Sequence, residues 1–144
     1  MKLSDFDDND LNLFTALLVG EAGGEDAIGK LAVACVVRNR VLDGRWPNTY
    51  KAVILQENQF SCFNSIKRET EISDFWMHKY FTHHFQKLWW RECRASAHLV
   101  LCTWYNDITH GANHYYAPKL IEKPYWANDY EPCFVWGGHD FYKL

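Results

Sequence analysis

At 144 residues the chain has room for one ordinary domain and too little for two, and 48% hydrophobic residues supply a core, which excludes an intrinsically disordered polypeptide. Lys and Arg number 15 against 18 Asp and Glu, a net charge of −3 that is far from the basic excess a nucleic-acid binder needs, so no nucleic-acid partner is expected. The rings are in surplus: 7 Trp, 8 Tyr and 9 Phe make 17% of the chain, more than a small core consumes, and some of them are expected to face a ligand.

The N-terminus, Met1 to Asp10, is acidic where a signal peptide starts basic, and no apolar run approaches about 18 residues. The sequence therefore predicts a protein made in a cytoplasm without a signal peptide, without stable membrane insertion, and monomeric. From Asp10, Leu11, Phe14, Leu17 and Leu18 recur every three to four residues, which predicts a first helix capped by Asp8 or Asp10 and stopped at Gly23-Gly24. Asp26 opens a second helix whose stripe is Ile28, Leu31, Ala32, Cys35 and Val36, with Lys30, Arg38 and Arg40 read as lying off it in solvent. Asp43 to Pro47 reads as a turn, Asn48 or Thr49 as the cap of a short helix through Ile54, and Gln59 to Phe63 as extended. Asn64 to Asp74 is polar and aperiodic. Beyond it Phe81, Phe85, Leu88 and Trp89 give one helical face, and Cys93 to Trp104 reads as a buried helix. Gly137-Gly138 between Cys133–Trp136 and His139–Tyr142 predicts a two-residue hairpin turn. The fold class expected is mainly α with a small β or irregular C-terminal part (α+β), one domain over residues 1–144.

Glu21 falls four residues after Leu17 and seven after Phe14, which puts a carboxylate on the apolar stripe of the first helix. Burial and the negative end of the helix dipole both oppose a charge there, a setting suited to a general acid; the plainer alternative is a Glu that swings outward at a frayed helix end. Glu92, four after Leu88, reads as a paired helix residue. Glu25 and Asp26 are expected to begin and cap the second helix, and Asp107 and Asp140 are possible second carboxylates.

Gly20-Glu21-Ala22, Ala32-Val33-Ala34-Cys35-Val36-Val37-Arg38-Asn39-Arg40-Val41, Trp46-Pro47-Asn48-Thr49-Tyr50, Gln59-Phe60-Ser61-Cys62, Gly111-Ala112-Asn113-His114-Tyr115-Tyr116-Ala117, Pro124-Tyr125-Trp126 and Gly138-His139-Asp140-Phe141-Tyr142 together resemble the SleB-type cell wall hydrolases, in order and over nearly the whole chain. The resemblance implies a fold like lysozyme and the lytic transglycosylases, action on peptidoglycan glycan strands, no cofactor, and Glu21 as the catalytic Glu of the Gly-Glu-Ala motif. A compact chain of this kind suits a phage endolysin that carries a single catalytic domain and no separate wall-binding domain. Two departures stand out: the segment from about Asn64 to Glu92 is long for the family, and Asn113 stands where Thr is common.

Hydrolysis would need a second carboxylate, whereas lytic transglycosylation needs one, so the latter is expected, with muramidase hydrolysis as the alternative. Rings that stack on sugars and groups that hold N-acetyl substituents are expected from Gln59, Phe60, Ser61, Asn113, His114, Tyr115, Tyr116, Trp126, His139 and Tyr142. Each ring could equally be core. Asn39 is a candidate to cap or brace the catalytic loop. Three competing readings remain at this level. One is a zinc amidase using His110, His114 and His139, although no metal is expected; another is a Cys/His peptidase cutting peptide stems through Cys62 or Cys35; the third is a sugar-binding module without catalysis.

Overall fold

The computed structural model describes residues 8–56, 59–60, 84–102 and 106–144. Four helices are followed by a small sheet: α1 (Asp8–Ala22), α2 (Ala27–Leu42), α3 (Tyr50–Ile54), α4 (His84–Cys102), β1 (His114–Tyr116), a 3₁₀ turn (Tyr125–Ala127), β2 (Phe134–Trp136) and β3 (His139–Tyr142). The expected class is what the chain adopts. Ser61, Cys62, Trp104 and the polar excursion after Asn64 lie outside the described residues.

The first helix is buried on nearly every side. Leu11, Leu13, Phe14, Thr15, Ala16, Leu17, Leu18 and Val19 are all enclosed, because α2, α3 and α4 pack around it. A helix surrounded in this way needs apolar residues all round rather than on one stripe. Its second half keeps that character until Gly20 and Glu21, where it emerges. Asp26 caps α2 as expected, accepting from Gly29 N at 2.9 Å, and Thr49 caps α3, accepting from Ala52 N at 3.2 Å.

Two cations that the sequence placed in solvent are buried instead. Lys30 is 2% exposed and its Nζ donates to Glu92 Oε2 at 2.7 Å, joining α2 to α4; Arg40 is 5% exposed. Arg40 lies four residues after Val36 and three after Val37, so the helical period itself carries it inward. Glu92 is paired, as expected. Because it is half-exposed while Lys30 is sealed, removing either partner has unequal consequences: Glu92→Ala leaves an uncompensated buried ammonium and is expected to cost about 2 kcal/mol, whereas Lys30→Met leaves a carboxylate that water can reach and is close to neutral. Chemical denaturation of the two variants checks this order.

On α4 the inward residues are Trp90, Cys93, Ala97, Val100 and Leu101, while Leu88 and Trp89 are exposed at 53% and 42%. The face expected from Leu88 and Trp89 is therefore rotated by one to two residues. The Cys93-centred part is helical as expected but buried on one face only, with Ala95 and His98 exposed and Trp104 outside the described residues.

The strands form an antiparallel sheet in the order β1-β3-β2, with Tyr115 opposite Phe141, and Phe134 and Phe141 paired on the other side. Gly137-Gly138 is the predicted two-residue turn. Gly137 has φ +56°, a left-handed conformation that favours glycine. Alternation along the strands sorts the side chains: Tyr115, His139, Phe141, Phe134 and Trp136 share one face, and His114, Tyr116, Tyr142, Asp140 and Val135 the other. Among the described residues no helix is long and apolar enough to cross a membrane.

Candidate active site

The last turn of α1 delivers Glu21 half-buried to the sheet, where Tyr115 Oη donates to Glu21 Oε2 at 2.8 Å. This bond crosses 94 positions of chain and orients the carboxyl group from β1. Behind it lies Arg40. Its Nε donates to Asn113 O at 2.7 Å, its Nη1 reaches Gln59 Oε1 at 3.5 Å, and its guanidinium lies 5.7 Å from the Trp46 ring centre and 5.3 Å from that of Phe60. Burial lowers the Arg40 pKa from its ordinary value, and the acidic groups of Tyr115 and Glu21 act in the opposite direction. A cation held between two rings and a carbonyl thus stands next to the acid.

The loop ahead of β1 is built on Asp107. Its Oδ1 accepts from Thr109 N and Oγ1 at 2.8 and 2.6 Å, and its Oδ2 from Gly111 N and Asn39 Nδ2 at 2.6 and 2.8 Å. Burial pushes the Asp107 pKa up, but the bonds from Thr109, Asn39 and Gly111 outweigh it and hold the carboxyl below its usual range. Asn39 also donates to Ala112 O at 2.8 Å and so braces the loop ahead of β1. Asp107 is consequently an organiser of the loop and has no lone pairs to spare for a substrate.

Glu25 departs from its expected place at the start of α2. Its Oε1 accepts from Gly138 N at 3.1 Å and lies 3.2 Å from His139 Nδ1, a close approach without hydrogen-bond alignment. A Cβ on Gly137 or Gly138 would run into this carboxylate, and Gly137 additionally holds a left-handed backbone that side chains rarely adopt. His139, 9% exposed, in turn sets its ring edge-on to Tyr115 with centres 5.2 Å apart. The hairpin is therefore fastened to the loop that follows Glu21, and His139 supports Tyr115 from behind.

The remaining residues predicted for the site divide. Tyr116 and Tyr142, 8% and 2% exposed, form a small core with Ala127 beneath the half-buried Trp126, on the sheet face away from Tyr115. Neither leaves a ring face open for a sugar. Phe60 is likewise core, at 3% exposure. Asn113 is spent on the C-terminus, its Nδ2 donating to Leu144 O at 2.9 Å and its Oδ1 accepting from Leu144 N at 3.0 Å. The two tyrosines share a cause: a three-stranded sheet too small to be covered by helices on both faces encloses its second face with its own rings.

His114 lies between Trp46 and Trp126, with centres 5.8 and 4.9 Å away, and its Nδ1 is 2.8 Å from Asn113 Oδ1. Burial, followed by the charges of Arg40 and Arg45, pushes its pKa down from 6.5 to about 4. A histidine that stays neutral in the folded state while the unfolded chain takes up its proton destabilises the fold as pH falls. The loss develops from about pH 6.5 to about pH 4, and Asp107, with its lowered pKa, adds to it below that. The thermal midpoint is expected to drop across this window and His114→Gln to flatten the upper part of the drop, as read by circular dichroism melts at stepped pH.

Among the described residues neither the zinc set nor a Cys35 centre is assembled, while Cys62 lies outside them. His110 packs against Phe134, His114 against Trp126 and His139 against Tyr115, and among the described residues no group of three His, Cys, Asp or Glu could hold a metal. Burial pushes the Cys35 and Cys93 thiols up to about 12, the opposite of an activated nucleophile. A cavity of about 520 Å³, lined by residues that include Asp10, Leu42, Asn48 and Lys51, lies at the far end of α1 from Glu21 and plays no part in this chemistry.

Trp46 and Glu25 were missed as site residues by sequence reasoning, and Arg40 was read as a solvated helix residue. The helical period marks Arg40 as inward. Nothing local marks Glu25, whose partners lie more than a hundred positions away.

Comparison with known proteins places the fold and the family. Two solved structures share the fold with a TM-score of 0.71 and 25% identity over 97% of this chain: the catalytic domain of the germination-specific lytic transglycosylase SleB from Bacillus anthracis, 98% of which is covered, and that of the SleB protein of Bacillus cereus, 94% covered. Among curated proteins, spore cortex-lytic enzymes of Bacillus cereus and Halalkalibacterium halodurans are 38% and 36% identical over 56 residues, 39% of this chain. The match spans 22% and 17% of the length of those relatives. The family model for cell wall hydrolases matches residues 24–142, starting just after Glu21, and on that match the chain belongs to the cell wall hydrolase family.

Proposed function

We propose that the chain cleaves the β-1,4 bond between N-acetylmuramic acid and N-acetylglucosamine in peptidoglycan as a lytic transglycosylase, with Glu21 as acid and then base. The observation that carries this is Glu21 at the end of α1, held by Tyr115 across the sheet at 2.8 Å, in a fold shared with the SleB catalytic domain over 97% of the chain. Protonated Glu21 gives its proton to the glycosidic oxygen, the bond from that oxygen to the muramoyl C1 breaks, and the N-acetylglucosamine end leaves as an alcohol. The carboxylate then takes the proton of the muramoyl C6 hydroxyl, whose oxygen closes on C1 to give a 1,6-anhydro ring and restores the acid. No water is consumed. Tyr115 keeps the carboxyl group in one orientation through both transfers.

Among the described residues the acidic side chains support one carboxylate rather than two. Glu25 is engaged by the hairpin turn, Asp26 by the α2 cap and Asp107 by its loop, and Asp140 is on the sheet face away from Tyr115. A hydrolytic muramidase would need one of them within about 5–10 Å of Glu21 and free to hold water or a sugar carbon. Mass spectrometry of fragments released from purified peptidoglycan decides the matter. Anhydromuramoyl ends are expected. Reducing muramic ends would replace the proposal with hydrolysis, and freed stem peptides on intact glycan would replace it with an amidase or peptidase.

A further inference from the structure

One face of the sheet is a ladder of rings that begins at the catalytic carboxyl and ends in solvent. Tyr115, bonded to Glu21, packs on Phe141 with centres 5.7 Å apart; Phe141 packs on Phe134 at 5.7 Å; and Phe134 lies parallel to Trp136 within 2° at 6.3 Å. Phe141 is fully buried and Tyr115 and Phe134 are half-buried. Trp136, on the edge strand β2, is 40% exposed.

Its exposure is not that of a loose surface ring. The indole Nε1 donates to both oxygens of Asp26, at 2.9 and 3.1 Å, and the same carboxylate caps α2. The hairpin that carries Trp136 is fastened by Glu25 through Gly138 N at 3.1 Å. Ring and turn are thus both anchored to residues that follow Glu21 almost directly in the chain. An exposed aromatic face that is already immobilised loses little entropy when a ligand covers it. Strand geometry also sets its distance from the residue that holds the acid: two strand spacings of about 4.8 Å and two residues of about 3.3 Å put the Trp136 Cα roughly 12 Å from that of Tyr115, a length comparable to one disaccharide repeat of the glycan.

We propose that Trp136 is a stacking platform for a sugar ring of the glycan strand, one repeat away from the bond that Glu21 cleaves. The inference rests on the glycan-cleaving reading above and adds to it a subsite and a length dependence. A pyranose presents a face of C–H groups that packs on an indole, and the ring at this position engages a strand that extends beyond the reacting sugars, whereas a disaccharide centred on Glu21 does not reach it.

The test uses the protein with Glu21→Gln, which prevents turnover, and β-1,4-linked N-acetylglucosamine dimer and hexamer as probes, with affinity measured by isothermal titration calorimetry in every variant and, where the indole is kept, the Trp136 Nε1–H followed by NMR. The hexamer is expected to bind more tightly than the dimer and to shift that signal. Trp136→Ala is expected to weaken the hexamer about tenfold and leave the dimer within twofold, while Trp136→Phe, which keeps a ring without its tether to Asp26, falls between. Tyr125→Ala, at the 3₁₀ turn packed on the other sheet face, serves as the control and leaves both unchanged. Equal hexamer affinity with and without the indole overturns the platform, and so does a hexamer no tighter than the dimer. Thermal melts of each variant keep a folding defect from being read as lost binding. Release of anhydromuramoyl fragments by the unmodified chain is measured separately, so failure of the subsite and failure of the glycan-cleaving reading are distinguishable.

Discussion

Glu21→Gln is expected to lower the rate of fragment release from peptidoglycan by about a thousandfold or more while leaving the fold intact, because the amide keeps the volume of the carboxyl group and can neither donate nor recover a proton at the required step. Its carbonyl oxygen can still accept from Tyr115 Oη, so the contact seen at 2.8 Å survives and binding of glycan persists. That combination is the informative one. If Glu21 were a helix-end residue without a chemical role, activity would stay within a few-fold of the parent. If the domain only bound sugar, there would be no activity in the parent to lose. Turbidity clearance of purified sacculi, with glycan binding measured alongside, reads both quantities from one preparation.

The second large effect is expected at Arg40. Arg40→Met keeps much of the side-chain volume but removes the donor to Asn113 O, 2.7 Å away in a buried setting, and the cation that packs on Trp46 and Phe60. A buried carbonyl left without its charged donor and two rings left without their cation together cost about 2–4 kcal/mol. In a domain of this size that lowers the melting temperature by roughly 5–15 °C. Activity is expected to fall further than stability explains, even well below the melting point, since Asn113 leads directly into β1 and β1 carries Tyr115. Arg40→Lys tests the geometry: one ammonium cannot donate to the carbonyl, approach Gln59 and lie flat on two rings at once, so it recovers only part of the loss. A Lys variant with full activity and an unchanged melt would show that charge alone suffices.

Much of this site was legible in one dimension. The helix starts at Asp26 and Thr49, the Gly137-Gly138 turn and the inward run from Cys93 depend on interactions within a few residues, so composition and spacing determine them. Glu21 was legible for the same reason, as a carboxylate on an apolar helical period beside two glycines, and the motifs that resemble the cell wall hydrolases gave it a role. What the sequence could not assign were the properties that depend on neighbours distant in the chain. Whether Tyr116 and Tyr142 face a sugar or a core depends on which sheet face Trp126 covers; whether Glu25 caps a helix or holds a hairpin depends on the arrival of Gly138, 113 positions later. Arg40 shows the limit most clearly, since its period points inward but only the carbonyl of Asn113 and the rings of Trp46 and Phe60 make the interior tolerable to a guanidinium. Sequence alone determined the helices and the turn, through local hydrogen bonding and apolar periodicity, and marked Glu21 as the candidate acid. Tertiary structure alone decided which polar groups serve that acid and which rings remain open to a ligand, because burial and pairing belong to contacts that no local pattern encodes.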